Sequence, residues 1–367
     1  MISSTPTAPT AAPAVRRPVP WMKLGWVTLR QRRGAFFGAG ALLGAFAVYL
    51  AVMAVIQNNA YATVAACHPA TAPKCQQLLQ LFTDAYWGGS SSALLSGGAQ
   101  TVSSLMFAVP VLLGAFIGAP LLARELETGT FRFAWTQGAG RTRWAISTIV
   151  LPAAALTAAM GAFTALFYWY FRPFLEDGQV SSMLPLAFVL LGVAFAAWAL
   201  FSFALAAFLG AVFRRTVPAM AVTLVVYIAL AIATATAIRP HYGTPVTVTV
   251  TSQASPSGAG WVMNTWTDSP SGQPLTLNER IALLNQWQAD TVAPPASATH
   301  SKGGASKTQN RQNDFTNWLS EHGYTAKQTV QPDARFWRFQ LTEGGWLLTV
   351  SALLIGGTVG LVRRRGA

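Results

Sequence analysis

The charged side chains most able to take part in polar chemistry form one segment within an otherwise apolar chain. It reads RELETGT over residues 124–130, and Arg132, Arg141 and Arg143 follow it. Carboxylates beside guanidinium groups can build a salt-bridge network that transmits force when it is shielded from water. A solvated loop between two helices is the alternative, and the residue types alone favour neither interpretation.

The histidines and cysteines do not form a pattern typical of catalysis or metal binding. His68 follows Cys67, but two cysteines and one histidine make a poor zinc set. The string nearest to a nucleotide-binding loop, residues 303–308, lacks the glycine before its lysine. We therefore expect no catalytic residue, no metal ion and no cofactor in this chain, and we do not expect it to be an enzyme.

Cys67 and Cys75 are the two cysteines of the chain and are eight residues apart. Pro69 and Pro73 bend the segment between them. On the oxidising side of a membrane this spacing favours a local disulfide. The pairing stays open at the level of sequence, because a bridge also requires Cα atoms within about 7 Å of each other.

The elements that must position these residues are membrane-spanning helices. Hydrophobic residues make up 52% of the 367 residues and charged residues only 10%, which excludes a disordered chain. Crossing a hydrocarbon layer about 30 Å thick takes roughly 20 apolar helical residues. Six stretches without an ionisable Asp, Glu, Lys, Arg or His meet this requirement, at about 35–56, 103–123, 145–170, 183–213, 217–238 and 344–362.

The net charge of +13 divides unequally between the two sides of the membrane. The side that holds both termini carries fifteen cations and two acids, whereas the other side carries ten of each. The positive-inside rule therefore predicts cytoplasmic termini. The excess charge indicates orientation and not a nucleic-acid partner, and the uncharged spans argue against ion coupling.

The segment between the fifth and sixth spans is long enough for a small external domain. Residues 246–251 alternate valine with threonine, which predicts a strand. Thr276 with Glu279 fits a helix capping box, and Asp314 and Gly323 fit the start and stop of a second helix. We therefore predict an all-α polytopic membrane protein with six transmembrane helices, both termini cytoplasmic, and a small α+β external insertion.

This organisation gives the chain five predicted regions. Residues 21–33 are predicted to form an interfacial helix that lies along the membrane surface. The alternative is that they are an ordinary positively charged flank of the first span. The regions are a disordered leader (1–20), the interfacial helix (21–33), a five-span membrane domain (34–238) with an external loop (57–102) and a cytoplasmic loop (124–144), an external domain (239–343), and the sixth span with a basic tail (344–367).

The stretch LLARELETGTFRFAWTQGAGRTRW, residues 121–144, resembles the first cytoplasmic loop of permease subunits of type-2 ABC (ATP-binding-cassette) exporters. The likeness lies in an acid-containing end of the second helix, a Glu-x-Gly-Thr turn and a downstream arginine. The six-span arrangement with a large loop between spans five and six is also similar to that family. Within that family the chain most resembles permeases of actinomycete gene clusters, and its bias for arginine over lysine and its high alanine content are consistent with a high-GC genome.

The resemblance implies a transport role in a bacterial plasma membrane. It implies that six residues belong to the region that couples the permease to a separate ABC ATPase: Glu125, Glu127, Gly129, Thr130, Arg141 and Arg143. ATP and magnesium would then bind on that partner, and a second permease copy or a homologous permease would complete a dimer. The lipid bilayer is the remaining partner, and no nucleic acid is expected.

The predicted function is export of a hydrophobic or amphipathic cargo such as a drug, a lipid or a small peptide. Aromatic residues of the spans are candidates for a cargo path, although such residues more often face lipid or the core; they are Phe107, Phe116, Phe163, Phe195 and Phe203. The alternative function is a non-transport membrane sensor or scaffold whose external domain binds a ligand.

Overall fold

The computed structural model describes residues 33–68, 72–87, 99–128, 141–176, 180–250, 260–291 and 314–365. Within these ranges the chain forms ten α-helices and three strands. The helices are α1 (Arg33–Ala65), α2 (Pro73–Trp87), α3 (Ala99–Thr128), α4 (Arg141–Glu176), α5 (Pro185–Leu190), α6 (Val193–Phe213), α7 (Thr216–Ala233), α8 (Leu277–Thr291), α9 (314–321) and α10 (Phe336–Arg365). The strands are β1 (Val246–Val250), β2 (Gly260–Asp268) and β3 (Thr325–Pro332).

Six of the described helices are long and apolar enough to cross a membrane, and they are α1, α3, α4, α6, α7 and α10. This confirms the predicted fold class of six spans with a small strand-containing insertion. The spans leave two ends of the bundle. The insertion between α7 and α10 lies at one of them, the insertion end, and the helix ends near residues 33 and 365 lie at the other, the terminal end.

Helix α6 is the centre of the bundle, because most of its residues are buried on all sides. Its sequence is apolar around the whole helix, as expected for a helix enclosed by other helices. Helices α3, α4, α7 and α10 pack on α6, whereas α1 packs on α4. Helices α1 and α7 expose much of their apolar surface. In a membrane such exposed apolar surface contacts lipid or another subunit.

Glycines bring α3 and α6 into backbone contact. A Cβ atom added to Gly114 would lie 2.2 Å from the Ser202 Oγ atom, and one added to Gly118 would lie 2.6 Å from the Phe203 carbonyl oxygen. A Cβ on Gly210 of α6 would lie 2.7 Å from the Ala119 carbonyl oxygen. Small residues permit this close approach, which is a common device of membrane helices. We call this contact the glycine seam.

The predicted fourth span, 183–213, is two helices instead of one. Helix α5 ends at Leu190, and α6 begins at Val193 after a break at Leu191 and Gly192. Hydropathy does not detect the break because the residues on both sides of it are apolar. Gly192 leaves room there for the Gln340 side chain, which an added Cβ would meet at 2.3 Å and displace.

The insertion is a three-stranded antiparallel sheet with two helices. The strand order is β1-β3-β2, so the last strand in sequence is the central one. Strand β2 has an irregularity between Val262 and Asn264. Helices α8 and α9 share a hydrophobic core of Trp287, Phe315 and Leu319.

The local sequence signals of the insertion are present in the structure. The Thr276 backbone N–H donates to the Glu279 carboxylate at 2.8 Å, and the Thr276 hydroxyl donates to the same oxygen at 2.8 Å. Gly323 ends the segment after α9 with φ of +81°. Helix boundaries and capping here follow from residues close in sequence, which is why they could be predicted.

Candidate functional site

A buried ion pair lies between the last two spans at the insertion end of the bundle. Helix α7 continues through a π-helical segment (Thr234–Ile238) into a 3-10 turn that begins at Arg239. The Arg239 Nε donates to Glu343 Oε2 and the Arg239 NH2 donates to Glu343 Oε1, both at 2.9 Å. The two side chains are 3% and 0% exposed, so the pair is shielded from solvent on all sides.

Other groups of the bundle complete the surroundings of this pair. The Trp198 indole N–H of α6 donates to Glu343 Oε1 at 2.9 Å. The Arg239 NH1 donates to the Pro185 carbonyl oxygen at 3.3 Å, and the guanidinium lies 4.5 Å from the centre of the Phe188 ring. A buried charge is costly unless it is paired and hydrogen-bonded, and both conditions are met here.

Gln340, one turn before Glu343 on α10, bonds both sides of the break between α5 and α6. Its side-chain oxygen accepts from the Ala194 N–H at 2.9 Å, and its side-chain nitrogen donates to the Phe188 carbonyl oxygen. Backbone groups freed by a helix break in a membrane must find other partners, because no water is available there. Gln340 therefore allows the chain to turn from α5 into α6.

We call Arg239, Glu343, Trp198 and Gln340 the polar clasp. Sequence reasoning missed it because Arg239 and Glu343 each lie one residue beyond a predicted span and were assigned to the external domain. The signal available was the i, i+3 spacing of Gln340 and Glu343, which places two polar side chains on one helical face. The structure includes both charged residues in the helices that cross the membrane.

A small cavity of about 80 Å³ adjoins the polar clasp. Phe107 of α3 lines it together with Trp198 and Arg239. Phe107 is thus the one predicted cargo-path residue that the structure brings next to the clasp.

The other four predicted cargo-path residues are not among those that line this cavity. Phe195 and Phe203 are fully buried in α6, and Phe163 is buried in α4, where it stacks on Phe46. Phe116 projects from α3 and is 59% exposed. The cargo role of these residues stays a prediction.

The predicted coupling residues lie at the terminal end of the bundle. Glu125 and Glu127 belong to the last turn of α3, where Glu127 is exposed and Glu125 is half-buried. Arg141 and Arg143 belong to the first turn of α4. Gly129 and Thr130 lie outside the described residues, as do residues 21–32 of the predicted interfacial helix, whose last residue, Arg33, begins α1. The structure thus places two of the acids at the end of the helix that forms the glycine seam.

Cys67 and Cys75 form a disulfide, with their Cα atoms 5.6 Å apart. It joins the segment after α1 to the first turn of α2. Helix α2 then packs on α4 through Phe82 and Phe174, whose ring centres are 5.0 Å apart. The disulfide therefore holds α2 against the insertion end of the bundle.

Hydrogen bonds of Asp333 and Gln331 help to attach the insertion to the bundle. The Asp333 carboxylate accepts hydrogen bonds from the Ser181 and Ser182 hydroxyls at 2.6 and 3.0 Å, just before α5. Gln331 at the end of β3 donates to the Gly243 carbonyl oxygen at 2.7 Å. The insertion is thus fastened to the same segments that surround the polar clasp.

The described residues contain no group of three or more His, Cys, Asp or Glu side chains that could hold a metal ion. Six apolar helices, of which α6 is the central one, with their polar groups gathered at the ends, define a multi-pass membrane protein. The model of the family described as "ABC-2 membrane transporter related" matches residues 40–239, and the chain belongs to that family. Neither the curated proteins nor the solved structures include a match to this chain.

Family membership makes the chain a membrane component of the ABC-2 transporter type. The match covers the glycine seam and ends at Arg239 of the polar clasp. The insertion and α10 follow the matched region. The resemblance of residues 121–144 to such permeases is thereby confirmed at the level of the family.

Proposed function

We propose that the chain is the membrane-spanning subunit of an ATP-driven exporter for a hydrophobic or amphipathic cargo, coupled to a separate ATPase subunit. The observation that carries the proposal is the family match over residues 40–239, which includes the whole of α3 with Glu125 and Glu127 at its end. Those acids would contact the ATPase subunit on the cytoplasmic side, together with Gly129, Thr130, Arg141 and Arg143.

The glycine seam supports a mechanical role for α3. Because the α3 and α6 backbones touch at Gly114, Gly118 and Gly210, one helix cannot shift far without moving the other. A displacement that the ATPase imposes near Glu125 would therefore reach the core of the bundle. Helices act in this way as rigid elements that carry coupling between distant sites.

The polar clasp would pass that motion on to the external side. Trp198 lies on α6 and bonds Glu343 of α10, which in turn holds Arg239 after α7. Movement of α6 would therefore pull on both helices that flank the insertion. The insertion would then change its position when the ATPase subunits close.

Six spans supply half of a transport pathway, so a second copy or a homologous permease would complete it. The charge distribution supports a bacterial plasma-membrane orientation with cytoplasmic termini. The exposed Phe116 would face a partner or lipid, whereas Phe107 would meet cargo near the clasp. The buried Phe163, Phe195 and Phe203 would contribute to a path only after the helices rearrange.

Co-purification tests this proposal directly. We would express the chain with an ABC ATPase encoded beside it, reconstitute the complex in lipid vesicles and measure ATP hydrolysis. Glu125→Ala should lower permease-stimulated hydrolysis while the protein still inserts. Glu321→Ala, which removes an exposed acid of the insertion, is the matched control and should behave like the wild type. Wild-type stimulation in Glu125→Ala would exclude the coupling assignment.

The second candidate function is a sensor or scaffold with a ligand-binding insertion. The observation that favours it is an open cavity of about 420 Å³ on the insertion, lined by Leu277, Ile281 and Trp287 with Arg280 beside them. The two functions differ in their need for ATP. A protein that assembles with no ATPase, yet binds a ligand through the insertion, would favour the sensor.

A further inference from the structure

A second cavity, of about 460 Å³, lies where the insertion joins the bundle. The segment 240–245, which leads from α7 into β1, forms one wall, and Arg335 and Arg338 at the start of α10 form the other. His241 also lines it. The cavity thus lies between the two connections that tie the insertion to the membrane helices, and its lining residues include three basic side chains and no acid.

Arg335 is held in a fixed position within this cavity. Its NH1 donates to the Thr244 carbonyl oxygen and to the Gln331 side-chain oxygen, the latter at 3.0 Å. Within the described part of the chain, the NH2 and Nε groups have no hydrogen-bond partner. A guanidinium oriented by some of its donors can use the others to bind an oxyanion.

Arg338 forms no side-chain hydrogen bond or ion pair with any described residue. The two acids nearest in sequence are already engaged elsewhere. Asp333 accepts from Ser181 and Ser182, and Glu343 accepts from Arg239. The positive charges of the cavity therefore have no protein counterion among the described residues. This holds although the segments predicted on this side of the membrane contain equal numbers of cations and acids.

His241 adds a polar group of a different kind. Its Nδ1 lies 2.7 Å from the Ala237 carbonyl oxygen, which can only accept, so Nδ1 carries a proton. In the neutral ring, Nε2 is then left as a hydrogen-bond acceptor. A ligand with an anionic group and a neighbouring hydroxyl matches two arginines beside this nitrogen.

The neighbours of Arg338 set the depth of the cavity in the membrane. Trp337 is 61% exposed and Leu341 is 66% exposed, so this side of α10 presents apolar surface outward. Tryptophan concentrates where the hydrocarbon meets the polar headgroups. Arg338, next to Trp337 at the start of the span, therefore lies at the level of lipid phosphates.

We propose that this cavity binds the phosphate group of an anionic phospholipid headgroup from the leaflet on the insertion side. Arg335 and Arg338 hold the phosphate, and His241 accepts from a headgroup hydroxyl. A free phosphate would present the same oxyanion to these side chains as a lipid phosphate does. The depth of the cavity in the membrane, at the level of Trp337, favours a lipid as the source of the phosphate. The site is separate from the coupling residues and requires no transport activity.

Native mass spectrometry of the full-length, delipidated protein tests the site. The protein would be titrated separately with phosphatidylglycerol, with phosphatidylcholine and with inorganic phosphate. Loss of one arginine near a membrane surface costs about 1 kcal/mol, so Arg338→Gln should weaken phosphatidylglycerol binding about fivefold. Arg338→Lys, which keeps the charge, should lie between Arg338→Gln and the wild type.

Arg172→Gln is the matched control, because it removes an exposed arginine at the same end of the bundle but outside the cavity. It should bind phosphatidylglycerol within about twofold of the wild type, as expected when no direct contact is lost. Inorganic phosphate binding that depends on Arg338, without a matching lipid effect, would support the oxyanion site and identify free phosphate as its ligand. Equal binding of both probes in Arg338→Gln and Arg172→Gln would overturn the proposal.

Discussion

Arg239 and Glu343 are 104 residues apart in sequence, yet they join by two hydrogen bonds of 2.9 Å in the apolar interior. The contact closes the bundle at the insertion end, since it links the two spans that flank the insertion. With no solvent exposure on the carboxylate, neither charge has water as an alternative partner. The pair therefore makes the fold sensitive to the loss of either residue.

We expect Glu343→Gln to destabilise the protein by about 3–5 kcal/mol, because it leaves the Arg239 charge buried without a counterion. Arg239→Met should have a similar effect through the unpaired carboxylate. The double variant Arg239→Met with Glu343→Met should be closer to the wild type, since two well-packed apolar side chains need no partner. Thermal unfolding in detergent, followed by tryptophan fluorescence, measures all three. Additive losses in the double variant would contradict the interpretation.

The glycine seam should tolerate no side chain at Gly118. In Gly118→Ala the added Cβ would lie 2.6 Å from the Phe203 carbonyl oxygen, so α3 and α6 must separate. We expect a loss of about 1–3 kcal/mol, typical of overpacking. Gly44→Ala is the control, because no atom lies within 4 Å of its added Cβ. Helix propensity favours alanine over glycine, so Gly44→Ala should not destabilise the protein. A loss in Gly44→Ala equal to that in Gly118→Ala would show that the contact at Gly118 does not control the effect.

Gln340→Leu should lower the stability of the protein, because Gln340 bonds both sides of the break between α5 and α6. The variant leaves the Ala194 N–H and the Phe188 carbonyl oxygen without their partner, and a buried unsatisfied group costs about 1–3 kcal/mol. Gln286→Leu, an exposed glutamine of α8, should change stability by less than about 0.5 kcal/mol. The melting temperatures of the two variants give the comparison, and equal values would show that Gln340 does not satisfy these groups.

The capping box of α8 should respond to acid. Hydrogen bonds from the Thr276 backbone and hydroxyl lower the pKa of the Glu279 carboxyl. The cap is therefore fully effective above the unfolded pKa of glutamate, about 4.3, and is lost as the pH falls through the lower folded pKa.

Hydrogen exchange of the first-turn amides of α8 measures this effect, after correction for the intrinsic pH dependence of exchange. Protection in the wild type should fall as the pH drops from 7 towards 3. Glu279→Gln keeps a side chain that can cap but cannot titrate, so its protection should be independent of pH over this range. Glu321→Gln should follow the wild type, and a pH response in Glu279→Gln would exclude the carboxylate as its source.

Cysteine labelling should report the orientation of the chain. In a Cys67→Ser, Cys75→Ser background, His300→Cys should react with a membrane-impermeant reagent from outside intact cells, and Gly138→Cys should not. The physical reason is the excess of cations on the side of the termini. The opposite labelling pattern would reverse the proposed topology. Non-reducing peptide mapping of the unmodified chain checks the Cys67–Cys75 bridge independently.

Features that depend on nearby residues could be predicted from the sequence. The six spans follow from apolar length alone, because any helix that crosses a bilayer needs it. The Thr276–Glu279 cap and the Gly323 turn follow from contacts within a few residues. The strand at 246–250 follows from its alternation of valine and threonine.

Features that depend on distant residues could not be predicted. Strand β3 lies between β1 and β2, and this pairing requires contacts between Val246 and Val330. The break at Gly192 depends on Gln340, which is far away in sequence. The polar clasp also joins distant residues, and each of its charges lies at the margin of a hydrophobic stretch. For the predicted coupling residues, the helix bounds place Glu125 and Glu127 at the end of α3, but their role depends on a partner.

The order of synthesis gives the Arg239–Glu343 contact a further consequence. A ribosome adds roughly 5–20 residues per second, so Arg239 is made some 5–20 seconds before its carboxylate partner. In the proposed topology the whole insertion crosses the membrane during that interval, while α7 leads into an arginine that has no counterion yet. The first five spans therefore remain an incomplete intermediate, and a nascent chain that stops before α10 leaves the Arg239 charge without its carboxylate partner.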